Sequence, residues 1–230
     1  MSPFRALAVA ACSLVAACAS VLDERAASAL REALVRAIGP AASYEVQVTG
    51  ASIDRSRFER VAVLGTRVVR ERAPVIDRLA FELRGVVVDR EQKRLVALAD
   101  SRGELRVRAD DLTEFVRRSG WIDDARVTLA APDRIRVSGR PRVAGIALTG
   151  GEGVEIEARL FGSDAQLRLA LDRVRIGTAS APPLVRAVLE VAVNPLFDAT
   201  AHPLPAQIDA VEVDGDVLRI AASGSRLPRP

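Results

Sequence analysis

Residues 154–171 read VEIEARLFGSDAQLRLAL. Val154, Ile156, Ala158 and Leu160 alternate with Glu155, Glu157 and Arg159; after Gly162-Ser163-Asp164, Leu167, Leu169 and Leu171 alternate with Gln166 and Arg168. Successive side chains of a strand point to opposite faces, so a period of two predicts a hairpin with one apolar and one charged face. Glycine, serine and aspartate are the residues its tight connection needs. Working outward, the same alternation runs through Tyr44, Val46 and Val48, through Val61 and Val63, and through Leu79–Leu83 with its extension Val86–Val88. It continues at Leu95–Ala97, Leu105–Arg108, Val127 and Leu129, and Ile135 and Val137. At the far end Ile208–Val213 and Val217–Ala222 flank Asp214-Gly215, a dipeptide suited to the positive φ of a two-residue hairpin turn.

Three segments carry a helical period instead. In DERAASALREALVRAIGP, residues 23–40, Ala27, Leu30, Leu34, Ala37 and Ile38 share a face, Asp23 is placed to cap the start, and Gly39-Pro40 stops the run. Asp110–Gly120 is short, acidic at its start and basic at its end, as the helix dipole favours. Pro182–Val193 opens with proline and is apolar over most of its circumference, which predicts deep burial. The class is therefore α+β with an antiparallel sheet.

The first residues describe a different object. Arg5, the apolar run Ala6–Leu14 and the small residues before Cys18 in Val15-Ala16-Ala17-Cys18 read as a lipoprotein signal, too short to span a bilayer as a helix. The division expected is a signal over 1–17, a lipidated tether over 18–22 and one domain over 23–230. Cys18 would carry acyl chains, each buried methylene adding about 0.8 kcal/mol of anchoring. The alternative is an ordinary secretory peptide with Cys18 incidental. Ala19 and Ser20 follow the cysteine where an aspartate would favour inner-membrane retention, so in a two-membrane cell the expected location is the outer membrane of the envelope, facing the periplasm. Cys12 lies inside the apolar run and leaves with it, so the fold has no disulfide to rely on.

Composition excludes several classes. The net charge is only +3, and Lys93 is the single lysine among many arginines, which is no basic patch for nucleic acid. Apolar residues make up 49% and aromatics 3%, so the interior is aliphatic. Catalytic groups are few: His202 stands alone beside Pro203, a setting that suits a loop or structural histidine better than a base. Asp110-Asp111, Asp123-Asp124 and the Asp214/Asp216 pair fall at helix starts and turns where aspartate is expected, so neither a metal nor a hydrolytic carboxylate pair is indicated. The glycines from 145 to 153 lack the lysine of a phosphate loop. The reading is a non-enzyme without cofactor.

The order of the segments carries a resemblance. SYEVQVTGASIDRSRFERVAVLGTRVV (43–69), RLAFELRGVVVD (78–89), GELRVRADDLTEFVRRSG (103–120) and PLPAQIDAVEVDGDVLRIAASG (203–224) resemble the LmeA-like phospholipid-binding family across the mature chain. The matching features are Val86-Val87-Val88, Ala109-Asp110-Asp111-Leu112, Pro203-Leu204-Pro205 and Val213-Asp214-Gly215. The resemblance implies an exported, non-enzymatic phospholipid binder serving envelope lipid or glycolipid maintenance. It also implies a fold similar to tubular lipid-binding modules, a long curved antiparallel sheet wrapped around a buried apolar helix. On that reading an aliphatic groove lined by Val46, Val48, Phe81, Leu83, Leu169, Val188, Leu189 and Phe197 takes acyl chains, and arginines at its mouth meet phosphates. The competing reading is a lipid-anchored protein with a filled core that docks an envelope protein partner through its charged face or a sheet edge.

Overall fold

Period-two segments become strands because only that geometry sends every second valine or leucine inward. In the computed structural model, which describes residues 28, 30–52, 54, 56–71, 73–89, 91–143, 146–147, 152–198 and 207–224, they form two antiparallel sheets. The first holds β1 (Ser43–Ala51), β2 (Arg57–Val68), β3 (Ile76–Asp89), β4 (Arg94–Ala97), β5 (Asp100–Arg108), β13 (Gln207–Asp214) and β14 (Val217–Gly224). Its order is β1-β2-β3-β5-β14-β13, with β4 beside β3. The second holds β6 (Ile122–Ala130), β7 (Arg134–Val143), β8 (Ile146–Ala147), β9 (Val154–Ser163), β10 (Gln166–Ile176), β11 (Ala179–Ser180) and β12 (Phe197–Asp198). Its order is β11-β10-β9-β7-β6, with β12 beside β10 and β8 beside β7. The α+β, antiparallel class read from the sequence is the one observed.

Helix α1, over the described residues 30–38, lies on the first sheet. Leu30, Ala33, Leu34 and Ile38 are at most 1% exposed, packed with Phe58, Val61, Leu79 and Leu83. Gly39, at φ +123°, ends the helix as expected. The capping position Asp23 lies outside the described residues, as do the lipoprotein signal, Cys18, His202 and Pro203-Leu204-Pro205.

Past β3 the first sheet serves a second core. Val107 of β5, Leu218 and Ile220 of β14 and Val213 of β13 join the inner faces of β6, β7, β9 and β10. Leu105 packs against both cores. Helix α2 (Ala109–Ser119) has Asp110 and Asp111 in its first turn and Arg117 and Arg118 in its last, and Gly120, at φ 72°, closes it. Its first turn is tied back to β2, since Arg67 Nη1 and Nη2 donate to the Asp111 carboxylate at 2.6 and 2.8 Å. That bidentate pair bridges the two cores.

Helix α3 (Pro183–Val193) departs from the expected deep burial. Leu189 and Val193 are buried, whereas Leu184 is 76%, Val188 39% and Val191 79% exposed. A helix apolar all round contains no signal for which face packs, and here one narrow stripe suffices. Polar contacts hold the rest of it. Asn194 follows the helix, receives the Leu169 amide at 2.7 Å and donates to the Leu169 and Glu190 carbonyls at 2.9 and 3.1 Å. Arg186 donates to the Leu171 carbonyl. The helix with the fully buried apolar stripe is α1, whose other face carries the exposed Arg31, Glu32 and Arg36.

Candidate lipid site

Three walls meet at one end of the second core. The β2–β3 connection supplies Arg70, Glu71 and Ala73; the end of α2 and the residues after it supply Phe115, Arg118, Ser119 and Trp121; the segment after α3 supplies Pro195–Asp198. They enclose a cleft of about 720 Å³, within the range of roughly 300–1,000 Å³ usual for small-molecule sites. Trp121, the only tryptophan of the chain, is 43% exposed. An aromatic ring with a polar N–H suits such a half-wet position.

The cleft has an apolar floor. Ala73, Leu196 and Phe197 also line a void of about 20 Å³ bounded by Ile76, Leu105, Val107, Leu112, Leu218 and Ile220. Phe115, Trp121 and Leu196 also line a void of about 40 Å³ bounded by Ile122, Ile135, Val137, Ile156 and Leu169. Each void is about water-sized. The interior below the cleft is thus apolar and nearly filled, and the open room lies above it. The α2 period explains why: Leu112, Phe115 and Ser119 share the face turned to this side. Asp110, Thr113, Glu114 and Arg117 of the same helix line a separate, more polar cleft of about 610 Å³ that shares no lining residue with either void.

Two cations stand at the wall of the larger cleft. Arg118 is engaged by Glu114 at 3.7 Å and donates to the Glu114 carbonyl at 3.4 Å. Arg70 is half-buried, and burial pulls its guanidinium below the ordinary arginine value. Its Nη1 is closed off from solvent and has no hydrogen-bond partner among the described residues. Tyr44 lies nearby; burial pushes its phenol up to about 12, and the hydroxyl donates to the Gly39 carbonyl at 2.8 Å. Among the described residues, no group of three or more His, Cys, Asp or Glu is placed to hold a metal ion.

The eight groove residues read from the sequence do not share one surface. Val46, Val48, Phe81 and Leu83 belong to the α1 core. Phe81 sits opposite Gly103 on β5, where a Cβ would collide with its ring, so the ring covers a backbone gap. Leu169, Leu189 and Phe197 belong with the second core, and Val188 is exposed on α3. Phe197 lines the cleft and Leu169 the void beneath it. Separation of the two groups follows from sheet order: β5 and β14 intervene where the sequence shows only a run of similar strands. Arg70, Phe115, Trp121 and Leu196 were missed. Their one legible signal was Trp121, a lone aromatic directly after the glycine that ends α2.

No curated protein and no solved structure matches the chain. The family model described as LmeA-like phospholipid-binding matches residues 16–223. That span takes in both sheets and every wall of the cleft. It describes phospholipid binders rather than enzymes, and by this match over nearly its whole length the chain belongs to the LmeA-like phospholipid-binding family.

Proposed function

We propose that the chain is a membrane-anchored envelope lipoprotein that holds one phospholipid in the cleft between the β2–β3 connection, α2 and the Pro195–Asp198 segment, for lipid transport or envelope maintenance. The observation that carries this reading is the continuity between a roomy, partly charged cleft and an apolar floor. Such a gradient matches an amphiphile: the headgroup stays in the wet part, and acyl methylenes gain about 0.8 kcal/mol each on leaving water. Because the voids beneath are small, the chains enter as the Leu196–Phe197 wall parts from α2. Anchoring through an acylated Cys18 would keep the cleft at a membrane surface, in the outer membrane facing the periplasm.

Native mass spectrometry of the full chain, purified from a phospholipid-making host and followed by lipid extraction, tests the reading. One phospholipid per chain is expected, together with its loss in Ala73→Phe, which fills the passage between cleft and floor. A lipid-free chain that takes up nothing from vesicles overturns the cleft reading, and a stoichiometric protein in its place supports the partner-docking alternative. Anchoring is tested separately by the mass of the mature N-terminus, which carries acyl chains in the parent and none in Cys18→Ser.

A further inference from the structure

Most arginines described in this fold are accounted for. Arg67 is clamped by Asp111, Arg108 reaches Asp77 at 2.9 Å, Arg136 reaches Glu157 at 2.9 Å, and Arg118 has Glu114. Arg70 differs. Its Nη1 is sealed from water and is the one such buried side-chain nitrogen or oxygen without a hydrogen-bond partner among the described residues. Its stem passes Gly39 at the end of α1, and the side chain lines the wall of the cleft. A half-buried cation with an unmade hydrogen bond is costly unless something supplies the anion. The neighbouring Tyr44 hydroxyl is already committed to Gly39.

We propose that Arg70 is the phosphate-recognition residue of the cleft: its side chain lines the wall, and the guanidinium, whose Nη1 is covered in the unliganded fold, turns toward a phospholipid phosphodiester as the headgroup enters while the acyl chains occupy the floor below. The assignment rests on the reading of the cleft as the lipid site. A guanidinium matches phosphate bidentately, and the pairing is strongest where water is excluded. Arg118, held by Glu114, stands across the same cleft as a second, already neutralised charge. The geometry therefore selects lipids that carry phosphate over neutral lipids with identical tails, and the selectivity resides in one side chain.

The test offers the full chain, Arg70→Met and Arg70→Lys two lipids with the same acyl chains, phosphatidylglycerol and diacylglycerol, and measures uptake of each by extraction and mass spectrometry. Methionine keeps an apolar stem of similar length, so packing beside Gly39 is retained. The parent is expected to prefer phosphatidylglycerol; Arg70→Met should lose that preference at least tenfold with diacylglycerol uptake unchanged, and Arg70→Lys should retain part of it. If Arg70→Met only lowers the melting temperature and keeps the parental preference, the residue is structural and the proposal fails. If the parent takes both lipids equally, the cleft reading stands and the Arg70 assignment falls; if it takes neither, both fall. A titration with inorganic phosphate separates the sources of the anion. Phosphate binding that Arg70→Met abolishes, with lipid preference unmoved, would assign Arg70 to free phosphate and overturn the headgroup assignment.

Discussion

Helices α1 and α3 are both rich in aliphatic residues, and the fold treats them oppositely. In α1 the apolar positions form one stripe, Leu30, Leu34 and Ile38, and all are buried to 1% exposure or less. The sequence of α3, PLVRAVLEVAV, is the more apolar of the two, yet Leu184 and Val191 stand in solvent while Leu189 and Val193 are covered. Burial follows the partner surface and not the hydropathy of the segment. The first three strands present α1 with a broad sheet face, whereas α3 meets mainly β10 and is held at its end by Asn194. An amphipathic helix states which side must be covered; a helix apolar all round does not.

The contrast can be broken experimentally. Leu34→Ala leaves a cavity in a fully buried stripe, and the expected loss is roughly 2–5 kcal/mol of unfolding free energy by denaturant titration. Leu189→Ala, on a helix with only one covered stripe, should cost about 2 kcal/mol, at the low end of that range. Equal losses at the two sites would mean that α3 is as firmly packed as α1, and the comparison would fail.

Alkali should sharpen the difference, because Tyr44 belongs to the α1 core. Its phenol ionises near 10 in the unfolded chain and at about 12 in the fold, where burial favours the neutral form. The fold therefore binds this proton more tightly, and the resulting stability is complete below pH 10 and is lost as pH rises from about 10 to 12. Denaturation midpoints measured across that window should fall more steeply for the parent than for Tyr44→Phe. The smallest effect is expected on the outer face of α3. Leu184→Ser with Val191→Ser should change stability by no more than about 0.5 kcal/mol, since neither side chain is covered by the chain itself. A loss of 2 kcal/mol there would show that the face is packed within the folded chain.

Much of this architecture was legible. The alternation around Gly162-Ser163-Asp164 is the β9–β10 hairpin, in which Leu169 faces Leu160 and Gln166 faces Ser163. The hairpin expected at Asp214-Gly215 joins β13 to β14, one residue later than read: Asp214 pairs with Val217 and the turn is Gly215-Asp216, with Gly215 at φ 64°. Asp110–Gly120 is α2, ended by the glycine that the residue pattern required. The site was less legible because its walls come from three segments far apart in the chain. Arg70 follows a strand in a sequence crowded with arginines, and nothing local marks it as the one with a buried guanidinium nitrogen that lacks a hydrogen-bond partner among the described residues. Leu196 and Phe197 follow a helix whose packing face was ambiguous, so neither could be placed over α2 in advance.

The sequence by itself determined the α+β antiparallel class, the amphipathic stripe of α1, the turns and the family, because periodicity, glycine conformational freedom and segment order are local properties that a chain carries unfolded. Only the tertiary structure decided that β5 and β14 carry the first sheet into a second core, that α3 keeps one face bare, and that Arg70, Trp121 and Phe197 converge on a single cleft. Those outcomes depend on which surfaces meet across long stretches of chain. Strands with the same alternation of valine and charge are interchangeable in sequence but not in the sheet.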